Sequence, residues 1–383
     1  MMPIDPATLP KGIYTGPFHA RQRSAGGRFY EDMGALWTQG FGDIPKEYWA
    51  VRRRTGLWDI SSLAKFRFDG PHALAALDRL STRRMRDASP GAVRYGLVLD
   101  EDGRMLDEAT FLVRSPTQAF LFGNDEREPF IDHLRCVTAD LEVEITNITR
   151  SLPGVAVQGP GSYELLVELI DRPFAQLRWF QVLPEVYLAG VRGMLARVGF
   201  TGELGYEFFL LDGEEGASAI WDAIVGAGAQ PIGLDAIQAL RCECGLVIQN
   251  EDYVPGQTDP LDLSLERFID LDAHAFIGKA AVSARLAAGP ARRFKTVLLE
   301  GSKPPEPGAP VMHAGRPVGR VTSAVVSPCL GVLALAVIDT AEATDGASVR
   351  IADRPGRLHP VPIEGTGRAR SDPQCSRAES GLG

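Results

Sequence analysis

The segment Arg104–Val113 reads as a strand, and alternate side chains on a strand share a face. Met105, Asp107, Ala109, Phe111 and Val113 therefore line one side, and Asp107 is the only charge among them. A carboxylate in an apolar stripe needs a partner, or it stands at the wall of a pocket where it can hold or accept a proton. The plainer alternative is a solvated acid on an edge strand. Glu108, on the opposite face with Leu106 and Thr110, is a weaker version of the same oddity. A second segment, Arg197–Phe208, carries Gly199, Gly202 and Gly205 at intervals of three. Such spacing lets the backbone turn sharply and another group come close. It is not the dinucleotide pattern G-x-G-x-x-G, and no strand–turn–helix surrounds it. Beyond the loop, Tyr206, Phe208 and Leu210 share one face, and Glu207, Phe209 and Leu211 the other. With both faces apolar, Glu207 enters a largely buried strand. A buried acid must accept hydrogen bonds, either from a ligand rich in N–H donors or from a protein Arg or Lys, with Arg241 a candidate.

The elements around these residues follow from pattern. Tyr95–Leu99 and Arg104–Val113 form a hairpin closed by Asp100-Glu101-Asp102-Gly103. Strands are also expected at Leu57–Ser61, Lys65–Phe68, Ala119–Phe122 and Leu141–Asn147, with helices at His72–Leu80 and Pro129–Thr138. The first fifty residues read as an irregular wrapping arm with one short helix near Tyr48–Arg53. A second round has strands at Val155–Gln158, Tyr187–Val198 and Glu207–Leu211 and helices near Tyr163–Leu169, Ala217–Val225 and Asp235–Cys244. After about Ala288 come short β segments split by Gly and Pro, at Phe294–Glu300, Arg316–Thr322, Leu330–Ile338 and Ser348–Ile351, which point to a small barrel or sandwich. The pattern is α+β rather than repeated βαβ units. The expected division is 1–150, 151–288, a C-terminal β-barrel at 289–364 and a disordered tail at 365–383, where apolar surface is too sparse to offset ordering entropy.

Composition closes off several classes of function. The 383 residues are 45% hydrophobic and 23% charged, with 49 acidic and 40 basic side chains and a net charge of −9. That field repels phosphate backbones, so nucleic acid is not an expected partner. The run Arg52-Arg53-Arg54 reads as the solvated end of a helix. No apolar run approaches the roughly 20 residues that span a bilayer, and the start shows no secretory signal, so a cytoplasmic location without membrane contact is expected. The five cysteines are odd in number and scattered, against a disulfide framework. Cys242 and Cys244 lack a second pair nearby, so no metal is expected.

Several segments together resemble one family. Arg197–Phe208 is similar to the R-T-G-Y-T-G-E-x-G-[FY]-E-[IF] signature of the glycine-cleavage T protein (aminomethyltransferase) and its relatives. Leu57–Ser61 with Asp69–Ala73 resembles F-D-[VL]-S and x-G-P-D-A, and Leu99–Asp107 resembles the L-N-E-x-G-G-[IV]-[LV]-D hairpin. Ala156–Pro160 is similar to A-[VL]-Q-G-P, Phe276–Lys279 to F-I-G-K, and Gly319–Ser323 with Ser327–Gly331 to G-x-V-T-S and S-P-T-L-G. The matches run in order from about residue 56 to 338.

The resemblance implies a three-domain fold around a central folate channel, with tetrahydrofolate as the cofactor. It implies that Asp107 is the catalytic acid and that Glu207 accepts the N–H donors of the pterin edge in a paired, charge-assisted geometry. Phe200 stands where the family has Tyr, keeping a stacking surface without the hydroxyl. Tyr95, Asn124, Ala109, Phe111 and Arg241 complete the implied folate-binding set. The expected activity is transfer of an aminomethyl or methylene unit from a small amine-type donor to tetrahydrofolate. Alternatives are an N-, O- or S-demethylase of a small methylated compound, and a non-catalytic folate-binding protein. The expected partners are the small donor and, as in glycine cleavage, a lipoylated carrier protein. One departure stands out. Where the family has G-L-x-A-R-D-x-L-R, this chain reads Gly233–Arg241 with Ile237 and Gln238 in place of Arg and Asp, and an isoleucine cannot replace a guanidinium's donors.

Overall fold

The computed structural model describes residues 12–272 and 274–363. The tail at 365–383, expected to be disordered, lies outside the described residues. The chain divides into two units. The first takes the described residues up to Leu77 with Asp87–Arg94 and Thr110–Ile237; the second takes Asp78–Arg86, Tyr95–Ala109 and the described residues from Gln238 onward. Strand Met105–Ser115 and helix Leu234–Cys244 each run from one unit into the other.

In the first unit, a six-stranded sheet has the order Val182–Leu188, Val191–Ala196, Gly205–Leu210, Gly154–Gln158, Gly56–Asp59, Gln230–Pro231. Tyr206, Phe208 and Leu210 turn one face into a core with Leu57, Val155, Leu195 and, from helix Ala217–Gly226, Ile220, Trp221 and Ile224. Each such side chain, once buried, stabilises the fold by about 1.5–3 kcal/mol, which commits this face to packing. The later half of Met105–Ser115 pairs with Gln118–Gly123, which pairs with Ala64–Asp69, which pairs with Glu144–Asn147. Thr110, Phe122 and Lys65 lie in one row across these strands, and Phe111, Leu121 and Phe66 in the next. Phe122 meets Phe209 with ring centroids 4.7 Å apart, so the Lys65 face of this sheet packs on the Glu207 face of the other. Phe66 meets Phe130 of helix Glu128–Val137 at 5.9 Å on the opposite face.

Two expectations for this unit are corrected. The N-terminal arm is not irregular: after helix His19–Ser24 it forms a hairpin of Arg28–Asp32 and Ala35–Gly40. Its two-residue turn, Met33-Gly34, has φ of 51° and 76°, the left-handed pair a tight hairpin demands, here without the usual Asn-Gly signature. The stretch Tyr187–Val198 is not one strand but two, Val182–Leu188 and Val191–Ala196, folded back at Ala189-Gly190 by the same kind of turn.

In the second unit, the hairpin turn before Asp107 is held by Asp100, whose Oδ1 accepts from the Arg104 N–H at 2.7 Å. Arg285 of helix Lys279–Ala288 donates to the carbonyls of Asp102 and Gly103, both at 2.7 Å. Leu97, Leu99 and Met105 join an apolar cluster with Tyr253, Leu261, Leu263 and Val282. The C-terminal strands close into a six-stranded barrel. It includes two strands that the sequence pattern did not indicate, Pro310–His313 and Arg354–His359, whose Pro and Gly read as turn chemistry. Val311, Val321, Ala334, Ala336, Ile351 and Leu358 contribute to its core. No described helix is long and apolar enough to cross a membrane.

Candidate functional site

Glu207 sits on strand Gly205–Leu210, paired with Ala156 on one side and Ala196 on the other. Its side chain keeps a partly open face although protein surrounds it closely. None of the described residues donates a hydrogen bond to its carboxylate. Burial pushes the carboxyl up from 4.5 to about 7, with Lys65 pulling the other way. Lys65 is fully buried. Its Nζ donates to the carbonyls of Ile60, Ser61 and Leu63 at 3.0, 3.1 and 2.8 Å, which uses its three donors. Burial lowers Lys65 from 10.5 to about 7, opposed by the charges of Asp59, Glu207 and Glu126. The protein partner of Glu207 is thus a lysine acting through its charge, not Arg241. An acid with unmet acceptor capacity is suited to a ligand bearing paired N–H donors.

The glycine loop before Glu207 is shaped by Gln158. A Cβ on Gly199 would lie 2.0 Å from Gln158 Oε1, and one on Gly205 would lie 2.3 Å from both Nε2 and Oε1. The close approach these glycines allow is therefore to the Gln158 amide, which accepts from Thr201 Oγ1 at 3.0 Å and donates to the Val198 carbonyl at 3.3 Å. Arg52, expected to be a solvated helix end, instead reaches this loop and pairs with buried Glu203 at 2.7 Å. Phe200 and Asn124 are partly exposed in the same unit. Phe111 is fully buried in the row of Leu121 and Phe66, on the face away from Lys65 and Phe122, so it serves the packing there.

In the second unit, Asp107 is fully buried. Its Oδ1 accepts from the Tyr253 hydroxyl at 2.8 Å and from the Glu108 N–H at 2.9 Å. The Glu108 N–H also lies 3.3 Å from the Tyr253 oxygen. By alternation, Glu108 shares the strand face of Thr110, whereas Asp107 shares that of Ala109 and Phe111. Tyr95 hydrogen-bonds the Glu108 side chain and sets its ring edge-on to Phe268 at 4.7 Å. Burial and the two neighbouring carboxylates push the phenols of Tyr95 and Tyr253 well above their usual value. Ala109 is buried at the end of this half-strand.

Arg241 is fully buried and its guanidinium is engaged within the protein: with Asp252 at 2.5 Å, Glu251 at 2.6 Å, Ser323 Oγ at 2.7 Å, Gln238 Oε1 at 2.7 Å and the Leu246 carbonyl at 3.2 Å. Asp252 in turn accepts from Ser323 at 2.7 Å and from the Ile248 N–H at 3.0 Å. The expected folate-binding arginine therefore serves as scaffold for the loop that carries Tyr253. Ile237, at the substituted family position, is fully buried.

The family models account for nearly all of the described chain: the GCVT N-terminal domain over residues 18–273 and the glycine cleavage T-protein C-terminal barrel domain over residues 292–365. The chain belongs to the glycine cleavage T-protein family. An aminomethyltransferase of Rubrobacter xylanophilus is 32% identical over 360 residues, covering 94% of this chain and 95% of that protein. An aminomethyltransferase of Thermus thermophilus is 32% identical, covering 91% and 98%. The crystal structure of glycine cleavage system aminomethyltransferase T from Bartonella henselae superposes with a TM-score of 0.84 at 23% identity, covering 93% of this chain and 99% of that one. This is the same fold, so the T-protein family architecture is shared beyond sequence similarity. Two contributors within the family framework carry no signal in the sequence pattern. Lys65 sits in an ordinary strand, and Tyr253 lies 146 residues from Asp107.

Proposed function

We propose that this protein is a tetrahydrofolate-dependent one-carbon transferase that moves an aminomethyl or methylene unit from a small amine-type donor to tetrahydrofolate. The observation that carries the reading is Glu207: a partly open carboxyl, its pKa raised by burial, with no hydrogen bond from the described residues and Lys65 acting on it only through charge. It fits the amino-pyrimidine edge of a pterin, which presents adjacent N–H donors to a carboxylate. Phe200, Asn124 and Tyr95 are assigned to lining the folate. When bound, tetrahydrofolate supplies the nucleophilic nitrogen that accepts the carbon.

The chain's own acids do the remaining work. The Asp107–Glu108 pair holds or accepts the proton of the reacting amine and stabilises positive charge as the carbon moves. Within that pair the side chains divide the labour: Asp107 is sealed behind the strand, and Glu108 lies on the other face with Tyr95 orienting it. Fixing donor and acceptor in line contributes much of the acceleration. The relatives named aminomethyltransferase support this transfer; a lipoylated carrier as the donor partner and the cytoplasm as the setting belong to the same proposal.

A second reading is retained because Ile237 and Gln238 replace the Arg and Asp of the family pattern, and Ile237 brings a buried methyl group where a cation is usual. On that reading the donor is a small N-, O- or S-methyl compound and the product is methyltetrahydrofolate. The test combines candidate donors with tetrahydrofolate, identification of methylene- or methyl-folate, and the variants Glu108→Gln and Asp107→Asn. Asp107→Asn is expected to cut turnover at least ~100-fold with folate affinity largely kept, and Glu108→Gln to lower it as well. Undiminished turnover in both variants would refute the role of the pair.

A further inference from the structure

Tyr253 is a fully buried phenol that the reaction described above does not yet use. It comes from the loop between helix Leu234–Cys244 and the barrel, a loop pinned by Arg241, Asp252, Thr322 and Ser323. Its own backbone is fixed as well: the Asn250 N–H donates to the Tyr253 carbonyl at 2.8 Å, and Met105 exchanges hydrogen bonds with Thr258 and Gly256 at 2.9 and 2.7 Å. The backbone on both sides of the ring is thus hydrogen-bonded. That hydroxyl donates to Asp107 Oδ1 at 2.8 Å and lies 3.3 Å from the Glu108 N–H, which also donates to Oδ1 at 2.9 Å. The three groups form a closed triangle around the backbone at Glu108.

We infer that Tyr253 is a positioning residue for the Asp107–Glu108 pair, fixing the Asp107 carboxylate and, through the Glu108 N–H, the aim of the Glu108 side chain. The inference rests on the proposed one-carbon transfer for its kinetic consequence but not for its electrostatic one. A hydroxyl donating to a buried carboxylate favours the ionised form. Among the described residues, the titratable groups near the pair include Tyr95 on the neighbouring strand, with Arg267 beside Tyr95. Burial and the neighbouring carboxylates keep the two phenols neutral donors through the neutral range. Tyr253 is a side-chain donor that favours the charged form of Asp107.

The test is Tyr253→Phe, which keeps the ring and removes one oxygen. In the ligand-free protein, carbon-13 NMR of labelled aspartate carboxyls follows Asp107, and its midpoint is expected to rise by about one pH unit. An unmoved midpoint overturns the inference, whatever the protein's substrate. In turnover, kcat is expected to fall about ten-fold, with KM for tetrahydrofolate within about two-fold and the acid limb of the pH–rate profile moved to higher pH by about one unit. A profile that keeps its acid limb, or a loss of kcat and folate affinity together, shows a merely structural phenol and also overturns it. If the wild type neither binds tetrahydrofolate nor turns over, the proposed function fails, and the carboxyl titration still decides the role of Tyr253.

Discussion

Glu207 and Lys65 set the chemistry of the first unit as single residues. Folding keeps a proton on Glu207 between its usual 4.5 and about 7, a range in which the unfolded chain has already released it. The folded state binds more protons there, so this group's contribution to stability is full below 4.5 and is lost as pH rises towards 7. Lys65 acts in the opposite sense over its own window, from about 7 to 10.5, where the folded chain binds fewer protons and stability rises with pH. Glu207→Gln cannot ionise. The ligand-free variant is therefore expected to gain thermal stability over the wild type as pH climbs from about 5 to about 7.5, measured as the difference in Tm at each pH. A difference that does not widen with pH would count against a buried, charge-resisting carboxylate. The sequence made Glu207 legible, since an acid opens a strand that is apolar on both faces. It did not reveal Lys65. An alternating strand with one lysine looks solvated, and only the stacking of two sheets, with Phe122 on Phe209, turns that face inward.

At the scale of elements, the loop from Leu246 to Tyr253 depends on Arg241. Asp252 and Arg241 are both fully buried and paired at 2.5 Å, so deleting the cation strands a carboxylate away from water. Removing one partner of such a pair typically costs about 3–5 kcal/mol. Arg241→Met is expected to lose stability in that range in urea unfolding. A loss under about 1 kcal/mol would mean the network is solvated and the loop is not anchored through it. The resemblance implied a folate contact for Arg241 because family motifs preserve position, while the partner a side chain finds depends on its surroundings. Here Glu251, Asp252 and Ser323, all distant from the motif or outside it, capture the guanidinium. Strands were readable wherever alternation was clean, as in Met105–Ser115 and Gly331–Asp339. They were unreadable where the turn residues were atypical, as at Met33-Gly34 and Ala189-Gly190, or where a strand contained Pro and Gly, as in Arg354–His359.

At the scale of the whole molecule, membership of the T-protein family and the C-terminal barrel were both visible in collinear motifs, because the motifs lie at turns and strand ends whose geometry tolerates few residues. The motifs named Asp107 as the catalytic acid but not its neighbour Glu108, which alternation places on the other strand face, that of Thr110. The central claim is that Glu207 binds the pterin of tetrahydrofolate, and calorimetric titration of tetrahydrofolate into the wild type and Glu207→Gln tests it most directly. The account predicts one site per chain in the wild type and affinity at least about 30-fold weaker in the variant, the loss expected for a charge-assisted pair of about 2 kcal/mol. No binding by the wild type, or equal affinity in the two proteins, would contradict it.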